Sequence, residues 1–284
     1  MREWRWQYPG RECKRIFMSS RSAIFAVVLL SAGLLTAAEP LTKEQMKSAV
    51  LSETVTIPTP GEFFAAMAEQ GQPNWTQMFA PKTAGPTASR EQMALMLGVL
   101  VADGYIAVEA QDGQGVKNTG KEIINLAKKL NVSQSVISRG NSINDFAENN
   151  DWSALREELE ATQNEVKISM AEQKDKDLVI LVTVGAWIRG TQVAAGFISK
   201  NYTPALAGLL RQPAILEYLL AELGRVPERM QKDPLITQVK QKLRATLDLV
   251  QTKDRTPPSP EAVNEVSATM DSLVNEITKG HKDS

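Results

Sequence analysis

Apolar residues along this chain recur every three or four positions, and the strict alternation of half-buried strands is scarce. That spacing predicts an all-α protein. A first amphipathic segment covers residues 41–52, and a second covers 61–70 after the breaks at Pro58 and Pro60. Residues 71–88 carry Gly71, Pro73, Pro81, Gly85 and Pro86 and read as an ordered loop pinned by Trp75 and Phe79. A long helix over 89–111 follows, then a turn at "DGQG", then helices over 116–130 and 133–148. Asp151 stands where it would cap the next helix, whose early Glu157 and Glu158 and late lysines suit the helix dipole. Past the cluster "KDKD", the run 178–198 is nearly all apolar, and shorter helices begin near Thr203, Pro213 and Pro234. The last helix carries Val263, Val266, Met270, Leu273 and Ile277 as one stripe. The organisation expected is a single bundle of about nine or ten helices over 39–252. A Pro-rich linker at 253–260 and a terminal amphipathic helix with a polar tail at 261–284 complete it.

Two segments are apolar on almost every face, "MALMLGVLVADGYIAVEA" and "LVILVTVGAWIRGTQVAAGFI". A helix of that kind is surrounded by other helices or by lipid. Arg189, midway along the second, opposes a membrane span by about 2.5–3.5 kcal/mol, and Thr183, Thr191 and Gln192 add to the objection. Central helices of a soluble core are therefore expected. Small residues (Gly98, Ala102, Gly185, Gly190, Ala194, Gly196) would let their backbones approach closely. A buried charge must be paired, so Asp103 and Arg189 are expected to form an ion pair inside the bundle, with Arg90 and Glu109 as alternative partners.

The N-terminus changes the setting. Six basic residues from Arg2 to Arg21 precede the twelve-residue apolar run 24–35, and Thr36-Ala37-Ala38 then offers small residues before Glu39-Pro40. These are the three parts of a secretory signal peptide, 1–38, cleaved near Ala38; Met18 is an alternative start to Met1. The run is shorter than the roughly 20 residues of a membrane span. The full chain carries −1; without the leader, 26 basic residues stand against 31 acidic ones, giving −5 and no general attraction to nucleic acid. Cys13, the one cysteine, lies in the leader, so the exported chain has no disulfide, which suits a bacterial periplasm.

The remaining chemistry is mostly subtraction. Without cysteine, and with His281 alone in a polar tail, there is no thiol nucleophile, Ser-His-Asp triad or histidine metal site. "GVKNTGKE" fills seven places of the P-loop pattern, but Glu122 stands where a hydroxyl should hold magnesium. No cofactor or metal is expected. A carboxylate-only mechanism would need two facing acids in a cleft.

One stretch points elsewhere. "EIINLAKKLNVSQSVISRG" resembles, over about 20 residues, the helix-turn-helix of lac-repressor-type regulators. Ala127 falls where the first helix must be small, and Leu126, Leu130, Val132 and Ile137 fall at the apolar joining positions. The resemblance implies that Gln134 and Ser135 face bases, while Ser133, Ser138 and Arg139 face base edges or phosphates. Asn131 replaces the turn glycine, Gly140 replaces an apolar residue, and acidic residues offset the nearby lysines. Any two helices packed across a three-residue turn need this spacing. It thus predicts a helix ending near Leu130, a turn at Asn131-Val132 and a new helix from Ser133.

The function expected is non-catalytic binding or interaction in the periplasm or cell envelope, with no nucleic acid and no membrane after leader cleavage. A protein partner could dock on the C-terminal helix. The alternatives are a membrane-tethered helix-turn-helix DNA-binding regulator and a carboxylate-dependent envelope hydrolase.

Overall fold

The computed structural model describes residues 58–79, 89–132, 134–172, 175–252, 254 and 256–279, all within one unit, Thr54–Ser284. The expected leader 1–38, the expected helix over 41–52 and the tail with His281 lie outside them. Helix is the only regular structure among the described residues. In chain order the elements are α1 (Pro60–Gln70), α2 (Trp75–Met78), α3 (Arg90–Glu109), α4 (Gly113–Lys129), α5 (Gln134–Glu148) and α6 (Trp152–Glu172). Then come α7 (Lys176–Lys200), α8 (Pro204–Gly208), α9 (Pro213–Arg225), α10 (Glu228–Gln231), α11 (Pro234–Val250) and α12 (Pro260–Thr278).

Local chemistry sets most of these ends. Thr59 and Glu62 close a capping box at α1, the Glu62 carboxylate accepting from the Thr59 N–H at 2.7 Å. Ser89, Asp112, Asp151, Asp233 and Ser259 accept from first-turn N–H groups of α3, α4, α6, α11 and α12. Prolines open α1, α8, α9, α11 and α12.

The α3–α4, α4–α5 and α5–α6 turns share one construction. Gln111, Asn131 and Asn150 adopt left-handed backbone with φ of 52°, 60° and 54°. After each, an N–H reaches back five residues: Asp112 to the Ala107 carbonyl at 2.9 Å, Val132 to Ala127 at 2.9 Å, Asp151 to Phe146 at 3.0 Å. This is the Schellman closure of a helix C-terminus. Asp112 and Asp151 finish one helix and cap the next, so those turns spend almost no residues. For that reason α4 starts at Gly113, three residues ahead of the sequence expectation, and both glycines of "DGQG" lie inside the helix.

Helices α3 and α7 pack along each other's length and are buried on nearly all faces. Both are long and apolar enough to cross a membrane, with mean hydropathy 1.4 and 1.5, yet 94% and 72% of those windows lie buried inside the protein. At their crossing, a Cβ on Gly98 would overlap the Val182 carbonyl oxygen, and one on Gly185 would overlap that of Leu95. The two backbones touch because neither glycine carries a side chain. Gly190 and Gly196 do not share this need; a Cβ there would meet Phe63 at 3.6 Å and Ser267 at 3.9 Å, ordinary contacts.

Helix α12 lies against α7, α11 and α3, with Val263, Val266, Met270, Leu273 and Ile277 buried. The stripe seen in the sequence is spent on the chain's own core, at about 1.5–3 kcal/mol for each large apolar side chain removed from water. Gln92 on α3 donates to the carbonyl of Ile277 at 3.0 Å, closing that helix end. Tyr202 donates to the Pro258 carbonyl at 2.9 Å and so ties the Pro-rich connection before α12 to the end of α7.

Candidate functional site

The two core charges meet. Arg189 Nε donates to Asp103 Oδ1 at 2.7 Å, with the side chains 5% and 0% exposed. The other guanidinium nitrogens are taken as well: Nη1 donates to Gln192 Oε1 at 2.7 Å and Nη2 to the Met78 carbonyl at 3.2 Å. Gln192 passes the chain on, its Nε2 donating to Asp271 Oδ1 at 2.7 Å. One network thus joins α2, α3, α7 and α12. The Met78 carbonyl is presented by a single helical turn that Asn74 caps and that Trp75 pins, its ring 5.4 Å from Phe64. Arg90 and Glu109 are engaged elsewhere, Arg90 with Asp175 at 2.9 Å and Glu109 with Arg156 at 2.7 Å.

A pair this deep offsets its own desolvation and little more, but loss of either partner would strand a buried charge. Its chemistry is that of a register pin: it fixes how α3 and α7 sit and where the α2 turn docks. Neither Asp103 nor Arg189 lines either of the two cavities described next.

The other side of α3 is packed differently. Between α3, α4, α5 and α6 lies a cavity of about 60 Å³. Its walls are largely aliphatic, Val101, Val116, Ile123, Ile143, Leu159 and Val166 among them. Three polar atoms in its lining residues are buried with no hydrogen-bond partner among the described residues: Thr119 Oγ1, Thr162 Oγ1 and Gln163 Oε1. The side chains belong to residues only 2%, 8% and 6% exposed. Lys121 and Asn144, both exposed, mark the edge where the cavity approaches solvent, and Lys117 beside them holds Glu148 at 2.7 Å. That contact keeps the Glu148 carboxyl below its ordinary range. Gln163 also borders a smaller groove of about 30 Å³ floored by Phe63, Thr183, Ala186 and Trp187. No Asp or Glu lines either of these two cavities.

These polar groups were passed over in the sequence, though a signal exists. Thr119 lies on the same helical face as Val116, Ile123 and Ala127, and Thr162 continues the series Leu155, Leu159, Val166. A hydroxyl at an apolar position of a 3-4 repeat marks a polar group sent into the core.

The repressor-like stretch does form two helices about a turn, with Leu130 closing α4 and Asn131 left-handed. Ser133 lies outside the described residues, as do the side chains of Gln134, Ser135 and Ser138. Arg139 donates to Glu158 on α6 at 2.9 Å and is therefore committed within the fold. Gly140 stands where the repressor pattern has an apolar residue. It is buried, and Ile124 Cδ1 lies 2.5 Å from where its Cβ would be, so a side chain of α4 fills the vacancy. The turn itself recurs at Gln111 and Asn150 among the described residues, where nothing resembles a repressor. The spacing belongs to a general way of joining helices here.

The P-loop-like glycines Gly115 and Gly120 sit within the continuous helix α4, which leaves no loop to cradle a phosphate. No group of His, Cys, Asp and Glu among the described residues is arranged to hold a metal ion. No protein-family model, no curated protein and no solved structure matches this chain.

Proposed function

We propose that this chain is an exported helical protein, a single bundle built around α3 and α7, that acts in the cell envelope by binding and not by catalysis. One observation carries the reading: an aliphatic cavity between α3 and α6 is lined by three residues whose buried hydrogen-bonding atoms have no partner among the described residues, Thr119, Thr162 and Gln163. A folded chain keeps such groups at a cost of about 1–3 kcal/mol each, and a ligand that satisfies them accounts for their presence. Walls that are apolar with a few convergent polar atoms are the usual make-up of a binding site. The leader 1–38 supports export, and Cys13 within it leaves the exported chain thiol-free.

Purification from the native cell, with fractionation and mass spectrometry, tests both halves. The expected result is a periplasmic chain beginning at Glu39 that releases a small molecule on denaturation. A cytoplasmic chain that begins at Met1 or Met18 would overturn export, and a chain that carries no small molecule under any isolation condition would count against binding.

A further inference from the structure

We infer that the α3–α6 cavity takes a small neutral molecule, a compact hydrocarbon body bearing a hydroxyl or amide group. This rests on the binding reading above and gives it a ligand class. Size comes first. About 60 Å³ corresponds to on the order of four waters at roughly 10–15 Å³ each, so the ligand has only a handful of heavy atoms. Charge comes second. The buried partners are two hydroxyls and one amide oxygen, all neutral, and an ion placed among them would lose its hydration without a counter-charge. The two lysines stand at the rim, and Lys117 is held by Glu148. Hydrogen bonding comes third. Gln163 Oε1 only accepts, so the ligand must donate; the threonine hydroxyls donate or accept and can serve its oxygen. The aliphatic walls then favour a hydrocarbon body over a cluster of waters, which need two to four polar partners apiece.

Gly104 gives the inference a clean test. It lines the cavity from α3, and a Cβ there would stand 3.9 Å from Thr119 Cγ2 and 4.0 Å from Leu159 Cδ2. An alanine therefore fits without strain and removes a methyl's worth of the space. Gly104→Ala is expected to fold as well as the parent and to weaken binding about 10- to 200-fold. Thr119→Val and Thr162→Val are expected to raise the melting temperature, because each deletes a hydroxyl with no partner among the described residues, while lowering alcohol affinity.

The probes are 1-butanol, butyrate, butylammonium and xenon, added to the full-length protein as isolated and followed by methyl NMR. The expected result is saturable shifts at the Thr119, Val116 and Val166 methyls with 1-butanol, weaker ones with xenon, none with either ion, and saturation moved to about 10- to 200-fold higher 1-butanol in Gly104→Ala. Tighter binding of either ion, with the same methyls shifting, would leave the binding reading intact and overturn the neutral class. Saturation unchanged in Gly104→Ala would place the site elsewhere and overturn the inference. No saturable shift with any probe, together with destabilised Thr→Val variants, would mean that structural water satisfies the hydroxyls, and both readings would fall.

Discussion

Helix α3 is packed to two different standards on its two sides. Toward α7 the backbones touch at Gly98 and Gly185, and the buried carboxylate on that side, Asp103, has its partner at 2.7 Å. Toward α4 and α6 the side chains stop short of one another, leaving about 60 Å³ and three polar atoms without partners among the described residues. Since interiors are normally filled to the density of organic crystals, the slack on one side is informative only because the other side is so tight. The same helix shows that close packing was within reach. The difference suits a structural role for the α7 face and supports the binding role proposed for the α4–α6 face.

Substitutions break this contrast most severely at the ion pair. Asp103→Asn keeps the shape and removes the charge, which strands Arg189 in a buried site; the expected loss is about 3–5 kcal/mol, measured by chemical denaturation. The double variant Asp103→Leu, Arg189→Met should recover most of that loss, and a large coupling energy in the cycle is the signature sought. Additive losses would show that the two charges do not act as a pair. Next comes Gly98→Ala. Its new methyl would meet the Val182 backbone, which has no rotamer to yield, so the cost should reach or exceed about 3 kcal/mol. Gly190→Ala, in the same helix pair, should cost far less, because Phe63 stands 3.6 Å away.

How much of this could be read in the chain itself depends on whether the cause was local. Helix-forming segments, proline starts and caps such as Asp151 were legible because each depends on neighbours in sequence. The pairing of Asp103 with Arg189 was legible as well, since a buried charge demands a partner and each stands in one of the two all-apolar segments; the alternatives, Arg90 and Glu109, are engaged elsewhere. The start of α4 was misplaced by three residues, since Asp112 ends one helix and caps the next, and no sequence window separates those roles. The repressor-like spacing described the Asn131 turn well and its meaning poorly. Gln111 and Asn150 make the same turn without the motif, so the geometry is the commoner cause. The cavity depends on what four helices fail to fill, and that is a tertiary fact. Thr119 and Thr162 in apolar registers were its only trace.

Tyr105 sharpens the contrast from within α3. Its ring packs over Gly61 and its hydroxyl has no partner among the described residues. Burial raises the phenol pKa well above the ordinary value, with Glu160 and Glu62 adding to the shift. The folded state therefore keeps a proton that the unfolded chain gives up near pH 10, so stability is intact below that pH and falls above it. Tyr105→Phe should abolish that alkaline decline, a difference of about 1.4 kcal/mol for each pH unit above 10. Denaturation midpoints at pH 9, 10 and 11 would read it, and parallel curves for the two proteins would refute the assignment.

The smallest effect carries the opposite sign. Gly120 lies inside α4 at the cavity's edge, and a Cβ there would meet nothing within 4 Å. Gly120→Ala gains helix propensity and loses no contact, so it should stabilise the protein by up to about 1 kcal/mol. The same chemical change at Gly98 should destabilise by several times as much. If packing around α3 were uniform, the two glycines would respond alike; a stabilised Gly120→Ala beside a crippled Gly98→Ala can arise only if one face is at contact and the other is open. A loss at both positions would mean that the open face closes in solution, and the cavity would lose its standing as a site.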